Sequence, residues 1–210
     1  MARKLGFNVL LCDPPRAKAE GPEGFCDLDT LLANSQIVTM HTPLDETTKF
    51  MANEQFFAKM RPGAFFINAS RGEVVDEKAL MEYIPKLGAV VIDTWNHEPD
   101  VNEELIDMVD IATPHIAGYS YQGKQKGTAM AVRAVARHFG IVQLYNFYPR
   151  SDHQEEQPLK LDVEGMSQGE IAATFQYNYP IFTDDFMSRL HPESFEKLRS
   201  EYKYRREFYI

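Results

Sequence analysis

The chain is poor in cysteine: Cys12 and Cys26 are the only two in 210 residues, and they form no C-x-x-C pair. This excludes the dense disulfide framework of small secreted domains and favours a reducing, cytoplasmic environment. The sequence also has no apolar run near the length that crosses a bilayer and no signal-peptide pattern. We therefore expect a cytoplasmic protein with no membrane partner.

Positive charge is also scarce, because 22 Lys and Arg stand against 31 Asp and Glu and the formal net charge is −9. Such a chain is a poor general binder of nucleic acid or anionic membranes, although a local basic pocket for a small anion stays open. No H-E-x-x-H or similar close spacing involves His41, His97 and His115, so no metal is expected. Ser70 lies in no G-x-S-x-G elbow, which argues against a hydrolase triad.

What the chain does contain is an alternation of short apolar runs and helical stretches. A length of 210 residues can bury one sizeable core with a small second unit. The runs are largely apolar on both faces, as in strands that are covered on both sides of a sheet. They lie at 7–13, 36–40, 64–68, 89–93 and 109–113. The pattern predicts an α/β protein with a Rossmann-like, doubly wound parallel sheet over residues 1–119.

The second half of the chain has a different pattern. Residues 120–148 predict a long helix, and the polar, proline-bracketed residues 149–158 predict a linker. Residues 159–210 predict a small C-terminal α+β domain with one strand, a helix opened by an S-x-x-E capping box at Ser167, and a second helix over 192–207. This domain is rich in Tyr and Phe yet too small to bury them alone, so we expect it to form a dimer interface.

Polar residues follow each predicted strand. In open parallel α/β sheets, ligands bind beyond the carboxyl ends of the strands. The candidate segments are therefore Asp13, HTP (41–43), ASRG (69–72), DTWNHEP (93–99) and PHIAGY (114–119). Any one of them alone can be an ordinary loop, but five polar strand ends together indicate a ligand site.

Asp13 ends the first predicted strand and precedes the segment PPRA. A carboxylate there can accept both hydroxyls of an adenosine ribose and would repel a 2′-phosphate, which favours NAD over NADP. Two alternatives stay open. Asp13 can be a turn former before proline, and Arg16 can accommodate the 2′-phosphate of NADP.

Arg71, Glu98 and His115 follow three successive predicted strands, so the sheet can bring them together. Arg71 can bind both oxygens of a carboxylate because a guanidinium is planar and permanently charged. An imidazole ionises near neutral pH, so His115 can act as a base, and Glu98 would fix its tautomer. Plain alternatives are a structural ion pair for Arg71, a solvated loop acid for Glu98 and a hydrogen-bonded loop histidine for His115.

Three motifs together make the chain resemble the NAD-dependent D-2-hydroxyacid dehydrogenase family: NASRGEVVDEKAL, VIDTWNHEPD and TPHIAGYSYQGKQKGT. The resemblance implies NAD as cofactor and oxidation of a 2-hydroxy acid. It also implies that the family's catalytic arginine, glutamate and histidine fall on Arg71, Glu98 and His115.

The same resemblance implies further contacts. It assigns cofactor contacts to Asp13 (ribose), Thr42, Asp93 (nicotinamide side) and Gly118, and a substrate contact to Tyr119. The segments VLLCDPPRA and FEKLRSEYKYRREF restrict the resemblance to one group of enzymes within the family. They imply a small phosphorylated 2-hydroxy acid as substrate and a homodimer formed through the C-terminal domain.

One family motif is missing from the 210 residues. They contain no phosphate-binding G-x-G-x-x-G, so we expect a sheet that is incomplete at its N-terminus and a chain that is inactive by itself. Two other functions stay open. One is a sibling dehydrogenase acting on glycerate, phosphoglycerate or lactate, and the other is a non-catalytic protein that responds to NAD.

Overall fold

The computed structural model describes residues 1–150 and 157–210 and contains two compact units. The larger unit comprises residues 2–117 and 181–200. The smaller unit comprises Met1 and residues 118–180 and 201–210.

The helices and strands are short, apart from one long helix. In chain order the helices are α1 Pro14–Glu20, α2 Leu28–Asn34, α3 Glu54–Lys59, α4 Glu77–Tyr83, α5 Glu103–Met108, α6 Tyr121–Phe139, α7 Gln168–Asn178, α8 Ile181–Leu190 and α9 Phe195–Ser200. The strands are β1 Ile37–Met40, β2 Phe65–Asn68, β3 Ala89–Ile92, β4 Ile111–Ala112, β5 Leu159–Lys160 and β6 Phe208–Tyr209. Side chains of Asp or Asn accept an N–H group at the first turn of α2, α3, α4 and α5: Asp27, Asn53, Asp76 and Asn102.

The larger unit is built on a parallel sheet with the order β1-β2-β3-β4. Its register places the last strand residues in one row, with Met40 opposite Asn68, Asn68 opposite Ile92, and Ile92 opposite Ala112. The predicted Rossmann-like parallel sheet is confirmed. Because the strands end together, the loops that follow them start at one edge.

The core of this unit lies against the sheet. Phe66 of β2 is fully buried, and its ring meets those of Phe56 and Phe57 edge-to-face at centroid distances of 6.0 and 5.1 Å. Leu80 of α4 and Leu105 of α5 are also fully buried. These apolar contacts hold the helices on the sheet and fix where the strand ends lie.

Residues 7–13 were predicted to be a strand, and this prediction is wrong for the described structure. They form no strand ladder with the described residues, although the Leu11 carbonyl accepts a hydrogen bond from the Cys26 N–H at 2.8 Å. Phe7 and Leu10 remain about half exposed, at 52% and 45%. A strand needs a paired neighbour, and an apolar run cannot supply one by itself.

Helix α8 packs on the edge strand β4 and was not predicted from the sequence. Asp185 accepts a hydrogen bond from the Ala112 N–H at 2.6 Å, so the exposed side of β4 is closed by a side chain. Arg189 donates to the Ile106 carbonyl and, at 2.7 Å, to the Val109 carbonyl at the end of α5. The predicted helix over 192–207 is correspondingly shorter, because only α9 forms there after a 3-10 turn.

The smaller unit contains α6, α7 and the pair β5 and β6. Helix α6 ends at Phe139 because Gly140 adopts a left-handed conformation with φ +70°, so the helix predicted to 148 is too long. The capping box at Ser167 is confirmed, with Glu170 as its partner. The predicted linker falls mainly on residues 151–156, which lie outside the described residues.

The structure divides the chain differently from the domains drawn on the sequence. Residues 181–200, which we had grouped with a C-terminal domain over 159–210, belong to the larger unit. A compact unit is not the same as a domain, so the domain boundaries drawn on the sequence remain predictions. Within residues 1–150 and 157–210, none of the helices is both long and apolar enough to cross a membrane.

Candidate active site

Asn68, the last residue of β2, organises the loop that carries Arg71. Its side-chain amide donates to the Arg71 carbonyl at 3.0 Å, and its Oδ1 accepts from the Ser70 hydroxyl at 2.9 Å. Asn68 is almost fully buried, at 1% exposure, so these bonds replace the water it has lost. The Arg71 backbone is thereby fixed beside the strand end.

The Arg71 side chain is exposed at this edge. Its Nη1 donates to the Ser70 carbonyl at 2.6 Å, and no carboxylate within residues 1–150 and 157–210 forms an ion pair with it. The structural ion pair that we considered for Arg71 is therefore not seen in this part of the chain. Most of the guanidinium fork remains available for an anionic ligand.

Gly72 allows the Arg71 loop to lie against the neighbouring one. A Cβ atom at Gly72 would lie 1.9 Å from the carbonyl oxygen of Trp95, well inside van der Waals contact. The indole N–H of the buried Trp95 in turn donates to the Thr113 carbonyl at 2.9 Å. Trp95 thus connects the loop after β3 with both neighbouring loops.

Glu98 and His115 form the pair predicted from the sequence. The His115 Nδ1 and Glu98 Oε2 atoms are 2.8 Å apart, and the side chains are 22% and 17% exposed. An ionised carboxylate only accepts hydrogen bonds, so Nδ1 carries the proton and Nε2 is left as the free ring nitrogen. The second oxygen of Glu98, Oε1, accepts the backbone N–H of Trp95 at 2.9 Å, which orients the carboxylate.

Asp93 builds the loop on which His115 lies. Its Oδ1 accepts from the Thr113 hydroxyl at 2.6 Å and the Ile116 N–H at 2.8 Å, and its backbone carbonyl accepts the His115 N–H at 2.8 Å. Burial raises the pKa of Asp93, and these hydrogen bonds oppose the rise. His115 itself has φ +56°, a costly conformation for a non-glycine residue that this network maintains.

Glu77 forms a hydrogen bond to the loop after β3, which carries Glu98. It is the first residue of α4, and its carboxylate accepts the Asn96 N–H at 2.8 Å. Partial burial raises the pKa of Glu77, with the Asn96 N–H acting in the opposite direction. A buried acid at this position therefore carries a cost at neutral pH.

Arg199 of α9 lies near the Glu98 carboxylate. Its Nη1 atom is 3.7 Å from Glu98 Oε2, the oxygen that His115 also contacts. Its Nε atom is buried and has no hydrogen-bond partner in the described residues.

Two of the predicted cofactor residues have groups available for a dinucleotide. Asp13 Oδ1 caps α1 by accepting the Arg16 N–H at 3.0 Å, and its other oxygen makes no hydrogen bond to the described residues. The Thr42 hydroxyl is buried without a partner in the same set. Arg16, which kept NADP open, instead makes two 2.8 Å bonds to Glu20. These residues fit NAD.

Gly118 and Tyr119 lie in the smaller unit, so their predicted contacts with cofactor and substrate remain predictions. There, the Tyr119 ring packs edge-to-face on Tyr202 and Tyr204, and Lys124 Nζ lies 4.2 Å from its centroid. The described ranges contain no cluster of three or more His, Cys, Asp or Glu residues that could hold a metal ion.

Sequence reasoning missed Asn68, Trp95 and Arg199. Asn68 had a usable signal, because it is the polar last residue of an otherwise apolar strand. Trp95 lies inside a segment that we had singled out, but its two N–H donors depend on the fold. Arg199 lies far from Glu98 in sequence, and no local pattern connects them.

Comparisons with known proteins identify the family of the chain. Residues 1–117, more than half of the chain, match the family model described as D-isomer specific 2-hydroxyacid dehydrogenase, NAD binding domain. Erythronate-4-phosphate dehydrogenase of Yersinia pestis (strain Pestoides F) is 37% identical over 214 residues, covering 97% of this chain and 56% of the relative. The chain thus spans about half the length of the curated relatives it matches, and the narrower resemblance within the family is to this enzyme.

Solved structures show the same fold. D-lactate dehydrogenase from Aquifex aeolicus, complexed with NAD and lactic acid, is 25% identical with a TM-score of 0.56, covering 71% of this chain and 52% of that one. A glyoxylate reductase from Paecilomyes thermophila is 28% identical with a TM-score of 0.53, covering 60% and 40%. The chain belongs to the D-isomer specific 2-hydroxyacid dehydrogenase family and carries that family's NAD-binding domain.

Proposed function

We propose that this chain is part of a cytoplasmic, NAD-dependent enzyme that oxidises 4-phospho-D-erythronate at C2 to 3-hydroxy-2-oxo-4-phosphobutanoate, in pyridoxal phosphate (vitamin B6) biosynthesis. The observation that carries the proposal is the hydrogen-bonded pair of Glu98 and His115 at the carboxyl edge of the sheet. The 37% identity to erythronate-4-phosphate dehydrogenase supports the choice of substrate.

Arg71 would bind the substrate carboxylate. It is exposed at the sheet edge and free of ion pairs in the described residues, and its planar guanidinium can hold both carboxylate oxygens. This contact would orient the C2 hydroxyl toward His115. Orientation of this kind accounts for a large share of enzymatic rate enhancement.

His115 would take the proton of the C2 hydroxyl on Nε2. Its Nδ1 proton is held by Glu98, so the free nitrogen has a fixed direction. As the proton arrives, the ring becomes positively charged, and the Glu98 carboxylate stabilises that charge. When bound, NAD supplies the hydride acceptor for C2, while Asp13, Thr42 and Asp93 would hold its two ends.

The test uses a chimera in which this chain replaces the matching segment of the Yersinia pestis relative. We expect the chimera to produce NADH from 4-phosphoerythronate faster than from glycerate, phosphoglycerate or lactate. His115→Ala and Arg71→Ala should each reduce turnover by orders of magnitude, because base and anchor act mainly at the transition state. Lys78→Ala, an exposed cation on α4, is the matched control.

The outcomes separate the alternatives. Near-normal turnover in either variant would remove that residue from the mechanism. Faster oxidation of lactate or glycerate would indicate a sibling dehydrogenase, and NAD binding without turnover of any 2-hydroxy acid would indicate a non-catalytic NAD-responsive protein.

We also infer that the partner is a second copy of the chain. Helix α8 exposes Phe182, Phe186 and Leu190, at 63%, 60% and 54%. They are spaced four residues apart and therefore share one helix face. An exposed apolar stripe of this kind is typical of a protein interface and supports the predicted homodimer.

A further inference from the structure

The Glu98 carboxylate has a third neighbour that the proposed mechanism does not use. Arg199 Nη1 lies 3.7 Å from Glu98 Oε2, and the same oxygen is 2.8 Å from His115 Nδ1. The Arg199 side chain is 32% exposed, and its Nε atom is buried without a partner in the described residues. Burying part of a guanidinium is costly, and the Glu98 carboxylate is the opposite charge that offsets this cost.

The charged groups around His115 come from three places. Glu98 belongs to the loop after β3, Asp93 immediately follows β3, and Arg199 lies on α9. Two of these are acids, and both favour a protonated ring. Arg199 is the cation in this set, and it opposes them.

We propose that Arg199 is a positioning residue that sets the charge balance of the Glu98 and His115 pair. The Trp95 N–H already orients the Glu98 carboxylate, so what Arg199 adds is charge. Its positive charge lies on the carboxylate that holds the His115 ring proton, so it opposes the pull of that carboxylate on the proton. A general base must be unprotonated before the reaction, and Arg199 favours that neutral imidazole.

The catalytic meaning of this inference rests on the proposed function, but the contact itself can be tested without turnover. The probe is the pH titration of the histidine ring resonances in the 210-residue chain, followed by NMR. The chain has six histidines, and the His115 signals are assigned by their loss in His115→Gln. Circular dichroism confirms that each variant is folded.

Removing the Arg199 charge should move the midpoint of the His115 titration to higher pH. For Arg199→Met we expect a rise of about half to one pH unit, the size of a unit charge acting over ~6 Å in a partly exposed site. Arg199→Lys keeps the charge and should show less than half of that rise. If Arg199→Met does not fold, Arg199→Gln carries the same comparison.

Lys197→Met is the matched control, because Lys197 is an exposed cation of the same helix with no ion pair to Glu98 in the described residues. An Arg199 variant that shifts no more than this control overturns the proposal. A shift to lower pH also overturns it, since that would mean that Arg199 only orients Glu98. A positive shift in the chain, together with a chimera that oxidises no 2-hydroxy acid, would leave this inference intact and reject the proposed function.

Discussion

Single buried groups near the His115 loop determine how well that loop is held. Gly72 and Glu77 each contact the segment between Trp95 and Glu98, one through the backbone and one through a carboxylate. Their substitution therefore reports on the site without touching a residue that we assign to catalysis.

Glu77→Gln should stabilise the protein at neutral pH. The pKa of Glu77 is raised by burial, so the folded state binds its proton more tightly than the unfolded state. Its contribution to stability is full below the unfolded pKa of an ordinary glutamate and is lost as pH rises through the folded pKa. A glutamine removes this loss and still accepts the Asn96 N–H.

We expect thermal unfolding at pH 7 to shift upward by roughly 2 °C, the change that about half to one kcal/mol produces in a chain of this size once solvent screening of the partly exposed carboxylate is taken into account. The shift should shrink as the pH falls toward 4. Glu82→Gln, on the exposed face of the same helix, controls for the overall negative charge. Equal shifts in the two variants would show that burial of Glu77 is not the cause.

Gly72→Ala should destabilise the protein and displace the Arg71 loop. The new Cβ would meet a backbone oxygen at 1.9 Å, and a backbone atom cannot move aside as a flexible side chain can. We expect a loss of about 1–3 kcal/mol in chemical unfolding. Gly127→Ala, in open space on α6, should instead add about 0.5–1 kcal/mol through helix propensity, and a similar sign for both would contradict this account.

At the scale of secondary-structure elements, α8 binds backbone groups at the edge of the sheet, as a further strand would. Its Asp185 accepts the Ala112 N–H of β4, and its Arg189 donates to carbonyl groups at the end of α5. Asp185 also accepts from Arg189 Nε at 3.0 Å, so the two side chains act as one connected group.

Asp185→Ala should cost about 1–3 kcal/mol, because the fully buried Ala112 would lose the acceptor for its N–H group. The loss should appear in urea unfolding, and amide hydrogen exchange at Ala112 should accelerate. Thr183→Ala, at an exposed position of the same helix, should be close to neutral. Unchanged exchange at Ala112 would mean that α8 does not protect the sheet edge in solution.

At the scale of the whole molecule, self-association should depend on the apolar stripe of α8. Phe186→Asp places a charge in the middle of that stripe, so we expect light scattering at micromolar concentration to change from dimer to monomer. Phe139→Asp is the matched control, since Phe139 is 70% exposed at the end of α6. A monomeric parent protein would reject the dimer, and loss of the dimer in the control alone would relocate its interface.

NAD binding by the 210 residues alone should be weak. Backbone N–H groups of a G-x-G-x-x-G turn normally bind the pyrophosphate, and the 210 residues contain no such motif. Contacts through Asp13, Thr42 and Asp93 must then meet the whole ordering cost of the ligand. Calorimetric titration should give no micromolar affinity, and micromolar binding together with phosphoerythronate oxidation would overturn this expectation.

Local sequence patterns determined the parallel α/β fold and the positions of Arg71, Glu98 and His115. Buried parallel strands must be apolar on both faces, so short apolar runs mark them in the sequence. Their ends also fall in one row, and for this reason residues far apart in the chain could be assigned to a single edge. The same rule wrongly predicted a strand at residues 7–13, because an apolar run does not show whether a pairing partner exists.

Only the tertiary structure decided what surrounds the pair of Glu98 and His115. The approach of Arg199 to Glu98, the bond from Ala112 to Asp185 and the contact of Gly72 with Trp95 join segments that no periodic pattern connects. Helix α8 was missed for a related reason, since its docking depends on polar groups of β4 and α5 that are available only after the sheet has formed. Such contacts arise from packing in three dimensions, where side-chain shape and backbone hydrogen bonding select partners that sequence order does not specify.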